Sequence, residues 1–332
     1  MRRLGMIGAM ALTTVFAGCG SDSEPGEPME ETAAVEMAGE HLNPLVTRHE
    51  AGEPLFGLYA PSPGGGRGRG GAPPPPVKAP AERAAETLAY SMSDYVFDGS
   101  MERGVAGALP AFTEFVDAMA AQGADASTHP FMVKMAKLES PEQAQRDIAM
   151  QLDAGVSGIM FVEVESAEEA RMGLDAMRFV ADGGTRPDDF GSAPAYWGVS
   201  DDAYRAKADL WPLNPEGELI SWVIVESHEG LANVREIAAV PGIGVLWPGA
   251  GTLRGLFSTV DADGQRQLDE EGWENAIQQV LSACKEFDVA CGFPSNASDI
   301  EMRMDQGFSV FVMGWGDSGF ETVEMGRGLA GR

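Results

Sequence analysis

Four charged side chains sit where short apolar runs of this sequence stop. Asp98 follows Tyr95-Val-Phe97, Lys134 follows Phe131-Met-Val133, Glu163 lies near the end of Gly158–Val164, and Glu226 follows Ile220–Val225. A charge at the end of an apolar strand is held in place by the buried residues before it. Binding and proton transfer both need that fixity. Glu163 and Glu226 end neighbouring strands, so two carboxylates could share a divalent cation there. The other reading is that each is neutralised by a nearby Lys or Arg. Trp247-Pro248, Phe293 and Trp315 end three further runs and would line the same face.

An alternation of strands and helices must position these ends. Strands are predicted at Leu55–Tyr59, Tyr95–Phe97, Phe131–Val133, Gly158–Val164, Ile220–Val225, Gly242–Trp247, Val289–Gly292 and Val310–Gly314. Helices are predicted at 81–91, 109–122, 141–153, 229–239 and 272–287, with another opening at Ser166. Ser140 is an N-cap with Pro141 in the first turn, and Ser166 with Glu169 reads as a capping box. Strands this short, apolar on both faces, fit a parallel sheet covered by helices. Eight such units in about 290 residues match an α/β fold, the (β/α)8 TIM barrel, whose site lies at the C-terminal strand ends. A doubly wound open sheet is the alternative, but no Gly-rich dinucleotide loop follows the first strand.

The chain has 332 residues, enough for one large domain with a substantial core. Lys+Arg number 23 and Asp+Glu 51, a formal net charge of −28. No basic run follows Arg69, which argues against nucleic-acid binding, because phosphate contacts need clustered cations. Three cysteines cannot build a disulfide framework, and four unclustered histidines argue against zinc. At the N-terminus, Arg2 and Arg3 precede the apolar Leu4–Ala17, too short to span a bilayer as a mature helix. It ends Phe16-Ala17-Gly18-Cys19, similar to a bacterial lipobox, which implies cleavage before Cys19 and lipidation of its thiol. A plain secretory signal or a free thiol is the simpler reading. Gly20 after the cysteine points to the outer membrane, facing the periplasm. The expected organisation is a signal peptide at 1–18, a flexible acidic tether at 19–42, and a single barrel domain at 43–332 with a Gly/Pro-rich insertion at 61–80.

The stretch Gly155–Arg171, then Ile224-Val-Glu226-Ser with its following helix, then Gly242–Leu253, resembles the HpcH/HpaI aldolase/citrate lyase family. The resemblance covers roughly residues 43–325. It implies a (β/α)8 barrel and a carbon–carbon lyase acting on a 2-oxo or hydroxy acid. The enolate would be stabilised by a divalent metal, Mg2+ or Mn2+. It also implies a small organic-acid substrate and a homo-oligomer formed through a swapped C-terminal helix. The family's first metal carboxylate falls on Glu226, and Glu163 stands where a replacement second ligand would be needed. Ile224 replaces the family's Gln, and Gly251 its second metal Asp. Asp98 matches the Asp of the family's acid–base dyad, while its His falls on Met101. Lys134 falls near the substrate Arg, keeping the charge without the bidentate fork. His228 is then the candidate substitute base, since imidazole titrates near neutrality. The losses leave a second expectation open: a non-catalytic barrel that captures an organic acid at the cell surface.

Other signals carry blander readings. Thr259–Glu270 places Asp261, Asp263, Gly264 and Glu270 at calcium-loop positions, but Thr259 and Arg266 break the pattern, and an Asp-Gly hairpin is preferred. Gly191–Gly198 is an aromatic loop that would cover a ligand or pack on the rim. Cys284 and Cys291 are read as buried free thiols, because a helix-to-strand turn can hold the α-carbons too far apart to bridge.

Overall fold

The computed structural model describes residues 41–65 and 75–332. The expected signal peptide, Cys19, nearly all of the expected tether and the centre of the Gly/Pro-rich insertion lie outside the described residues.

Eight strands close a parallel barrel: β1 Leu55–Tyr59, β2 Val96–Asp98, β3 Phe131–Lys134, β4 Gly158–Phe161, β5 Leu219–Val225, β6 Val245–Pro248, β7 Ala290–Pro294 and β8 Val310–Met313. Each pairs with the next in sequence, and β8 returns to β1 through Leu55↔Val310 to Leu58↔Met313. A two-residue strand, Leu210–Trp211, lies parallel along the start of β5. The expected TIM barrel is therefore the observed fold.

Alternation along each strand divides the core in two. Ile220, Trp222 and Ile224 of β5 point into the barrel, while Leu219, Val223 and Val225 pack under the helices. Large aromatics fill the interior. Trp222 meets Tyr95 edge-on at 5.2 Å and Trp247 at 4.9 Å. Two glycines make this possible: a Cβ at Gly57 would strike the Tyr95 ring, and one at Gly292 the Trp247 ring. The helix Pro44–Glu50 plugs the bottom with Leu45 and Val46, both fully buried.

Helix starts follow their caps. Ser140 accepts from Gln143 N–H, and Ser166 from Glu169 N–H. The Glu169 carboxylate reaches Glu165 N–H rather than closing back on Ser166, so the capping box is shifted by one residue. The helix predicted at 229–239 is broken at Asn233 into His228–Ala232 and Val234–Ala238.

One expectation is corrected, and of the two readings of the Gly191–Gly198 loop the rim-packing one holds. Cys284 and Cys291 form a disulfide, with α-carbons 5.7 Å apart. The helix Glu270–Phe287 ends on Asp288 at φ 55°, a left-handed turn that folds the chain back at once, so Cys284 stands directly over β7. The aromatic loop lies at the opposite end of the barrel from the strand C-termini. Tyr196 donates to His129 O at 2.9 Å and Trp197 to Gly155 O at 3.0 Å, both just before their strands begin. It covers no ligand at the mouth.

Candidate active site

The mouth of the barrel contains a cavity of about 250 Å³. Its polar groups include Glu226 and Lys134, and its walls are the apolar Phe97, Met160, Ile224, Trp247 and Val312. Glu226 follows β5 directly and is 6% exposed. Its Oε1 accepts the N–H of Glu163 at 3.2 Å. Among the described residues no Lys, Arg or His comes within ion-pair distance of it. Gly249 lies flat against its carboxylate, where a Cβ would collide. A carboxylate taken out of water needs a positive partner, and among the described residues the protein supplies Glu226 with one N–H, that of Glu163.

Glu163 stands beside this site by its backbone. Its φ of 48° is left-handed, which is unusual for a residue with a side chain, and its carboxylate is exposed to solvent. Lys134 ends β3 and pairs with Glu102 at 2.8 Å rather than with Glu226.

Asp98 ends β2 and belongs to the adjoining cavity. It is buried, its Oδ1 accepts Ser100 N–H at 2.8 Å, and its Oδ2 lies 3.6 Å from Arg83 Nη2. Met101 is fully buried. His228 is exposed on the first turn of its helix, edge-on to Phe257 at 5.9 Å, and lines neither cavity. The fold thus brings Glu226 and Lys134 together, puts Asp98 next door, and leaves the Glu163 side chain and His228 outside.

Two polar residues at the mouth were not anticipated. Tyr59, the last residue of β1, borders both cavities and meets Phe97 edge-on at 4.8 Å. Partial burial, and then the charges of Glu102 and Asp98, hold its phenol above the ordinary range, so at neutral pH it is a hydrogen-bond donor. Its position at a strand end was the available signal. Arg83 lies within the helix Pro80–Leu88, where nothing local distinguishes it from a solvated charge.

Among the described residues no three His, Cys, Asp or Glu side chains converge. Magnesium-type ions are nonetheless often held by one or two carboxylates, with water and substrate completing the sphere. Glu226, buried and without a cation, fits the role of a single protein ligand to a weakly held ion. The calcium-loop pattern is an antiparallel hairpin, Ser258–Val260 against Arg266–Leu268, and Asp261 caps Asp263 N–H and Gln265 N–H within it.

A closed parallel barrel with its charged groups at the C-terminal strand ends is the architecture of a large class of enzymes. The chain belongs to the HpcH/HpaI aldolase/citrate lyase family, whose sequence model matches residues 79–318. It is 26% identical over 276 residues to the hydroxypyruvate/pyruvate aldolase of Paraburkholderia phytofirmans, covering 82% of this chain and 90% of that protein. A family protein from Burkholderia cenocepacia J2315 superposes with a TM-score of 0.62 at 21% identity, over 86% of this chain and 98% of that one. An HpcH/HpaI aldolase from Desulfitobacterium hafniense DCB-2 gives 0.60 at 15% identity, over 86% and 95%.

Proposed function

We propose that the barrel mouth makes or breaks a carbon–carbon bond beside a bound 2-oxo acid. The observation that carries this is Glu226, a buried carboxylate with no counter-ion among the described residues, in a cavity that also presents the Lys134 ammonium. The aldolase relative supports the reaction class. Lys134, ion-paired with Glu102 at 2.8 Å, also lines this cavity, where its ammonium would hold a substrate carboxylate. Glu226 would hold a divalent ion, Mg2+ or Mn2+. When bound, that ion polarises the oxo group and stabilises negative charge on its oxygen. Phe97, Trp247 and Val312 exclude water, which strengthens each of these interactions. Tyr59, at the wall between the cavities, donates a hydrogen bond to the oxygen that becomes the hydroxyl. The test is deuterium exchange into the methyl group of pyruvate with Mg2+ or Mn2+ present, read by NMR. Exchange is expected in the wild type and absent in Glu226→Gln.

A second reading has its own observation. Met101 and Ile224 are apolar where the family carries polar groups, and position 251 is Gly. A barrel so depleted binds an organic acid without turning it over. Saturable pyruvate binding with no exchange would select this reading.

The same proposal has the protein exported and anchored through a lipid on Cys19. The Cys284–Cys291 disulfide supports an oxidising compartment, where such bridges persist. Cys19→Ser should move the protein from membranes to the soluble fraction. Wild-type protein that never incorporates labelled fatty acid would overturn the anchor.

A further inference from the structure

Beside the Glu226 cavity, sharing Tyr59 and Phe97 with it, lies a second cavity of about 560 Å³. Phe97, Phe112 and Trp315 give it aromatic walls, and Pro61 and Pro63, at the root of the Gly/Pro-rich insertion, close one side. That side is tied down: Gly65 N–H donates to Pro75 O and Lys78 N–H to Pro63 O, both at 2.9 Å.

Among the described residues, the charges around this cavity are already matched. Arg83 is 7% exposed, lies 4.1 Å from the Phe115 ring centroid, donates Nε–H to Pro61 O at 2.9 Å, and faces Asp98 at 3.6 Å. Glu102 is paired with Lys134 at 2.8 Å. A charged guest would lose hydration here and find no free counter-ion among the described residues. An apolar guest loses nothing and covers the aromatic walls.

We propose that this second cavity seats the aldehyde half of an aldol substrate, and that it selects an uncharged, apolar aldehyde of aromatic size. The assignment rests on the lyase reading above. In the bond-forming direction, carbon 3 of the 2-oxo acid gives up a proton and bonds to the aldehyde carbon. The aldehyde oxygen takes up a proton and becomes the hydroxyl. Cleavage is the reverse, and no oxidant or reductant enters. Tyr59 and Phe97, common to both cavities, mark where the two halves meet.

The test uses the full chain with pyruvate and a panel of benzaldehyde, acetaldehyde and glyoxylate, with coupling followed by mass spectrometry. The expected kcat/KM for benzaldehyde exceeds that for glyoxylate by roughly tenfold or more. Ala111→Trp fills the cavity from an exposed helical position that the fold tolerates. It should lower kcat/KM for benzaldehyde by about tenfold and for acetaldehyde far less. Equal or better use of glyoxylate, or an equal effect of Ala111→Trp on both aldehydes, overturns the assignment. Pyruvate exchange is read in the same samples. Exchange without the aldehyde preference overturns this assignment alone. Absence of exchange overturns the lyase reading and this assignment with it.

Discussion

The backbone N–H of Glu163 points at the carboxylate of Glu226, 3.2 Å away, while the Glu163 side chain turns out to solvent. The two acids are thus partners in an asymmetric sense: one supplies a main-chain donor, the other a buried negative charge. Replacing Glu226 by Gln removes that charge and keeps the shape. Thermal unfolding should show an unchanged or raised Tm, because an uncompensated buried carboxylate destabilises the fold. Calorimetry should show loss of divalent-ion binding. A large fall in Tm would instead assign Glu226 to the framework.

Gly251 borders the same cavity, and a Cβ at its position meets nothing within 4 Å. Gly251→Asp should therefore fold normally and place a second carboxylate near the first. Divalent affinity is expected to rise by roughly tenfold or more. Unaltered affinity in a folded variant would show that Glu226 does not hold the ion.

His49 gives the protein a pH dependence. Burial pushes its imidazole down to about 4, and it stacks on Trp211 at 5.2 Å. The unfolded chain binds a proton on this residue near 6.5, and the folded chain does not until about 4. Stability is therefore full above about pH 6.5 and falls as pH drops towards 4, by roughly 3 kcal/mol from this residue. His49→Phe keeps the stack and should flatten that part of the curve of Tm against pH. An unchanged slope would place the proton uptake elsewhere.

Asp94 holds the underside together. It is 9% exposed, accepts Phe56 N–H at 2.9 Å, and is bridged by Arg327 at 2.9 Å and Arg332 at 2.5 Å. Asp94→Ala removes the shared carboxylate from Arg327, Arg332 and Arg48, which keep Met92 O, Pro54 O and Glu53 respectively, and should cost about 1–3 kcal/mol, read as a lowered midpoint in denaturant. A change near zero would mean that water replaces the carboxylate.

Reduction of Cys284–Cys291 should lower stability by about 2–3 kcal/mol, the figure for so short a loop. The paired variant Cys284→Ser/Cys291→Ser should match the reduced protein and show no response to dithiothreitol. Equal midpoints with and without reductant in the wild type would exclude the bridge in solution.

The strands were legible because each is a short apolar run ended by a turn or a charge, and Leu55–Tyr59 is bounded as the pattern predicts. Glu226 and Lys134 were legible for the same reason: a strand end fixes a residue's place without reference to anything else. Arg83 was not, because its meaning depends on Asp98 and Phe115, which the fold brings to it from other elements. His228 lies near Glu226 in sequence, yet the helix that starts at His228, just after β5, turns the side chain away. The cysteine pair depended on the left-handed Asp288, a single dihedral that composition does not reveal.

The chain enters the described barrel at His41, beside Glu218 at the root of β5, and leaves it at Arg332, bonded to Pro54 O below β1. Both junctions are on the floor, and both cavities open on the roof. The two junctions and the two cavities therefore lie at opposite ends of the barrel. A solid support, a fluorescent partner or a second enzyme joined at either junction would leave the entrance unobstructed.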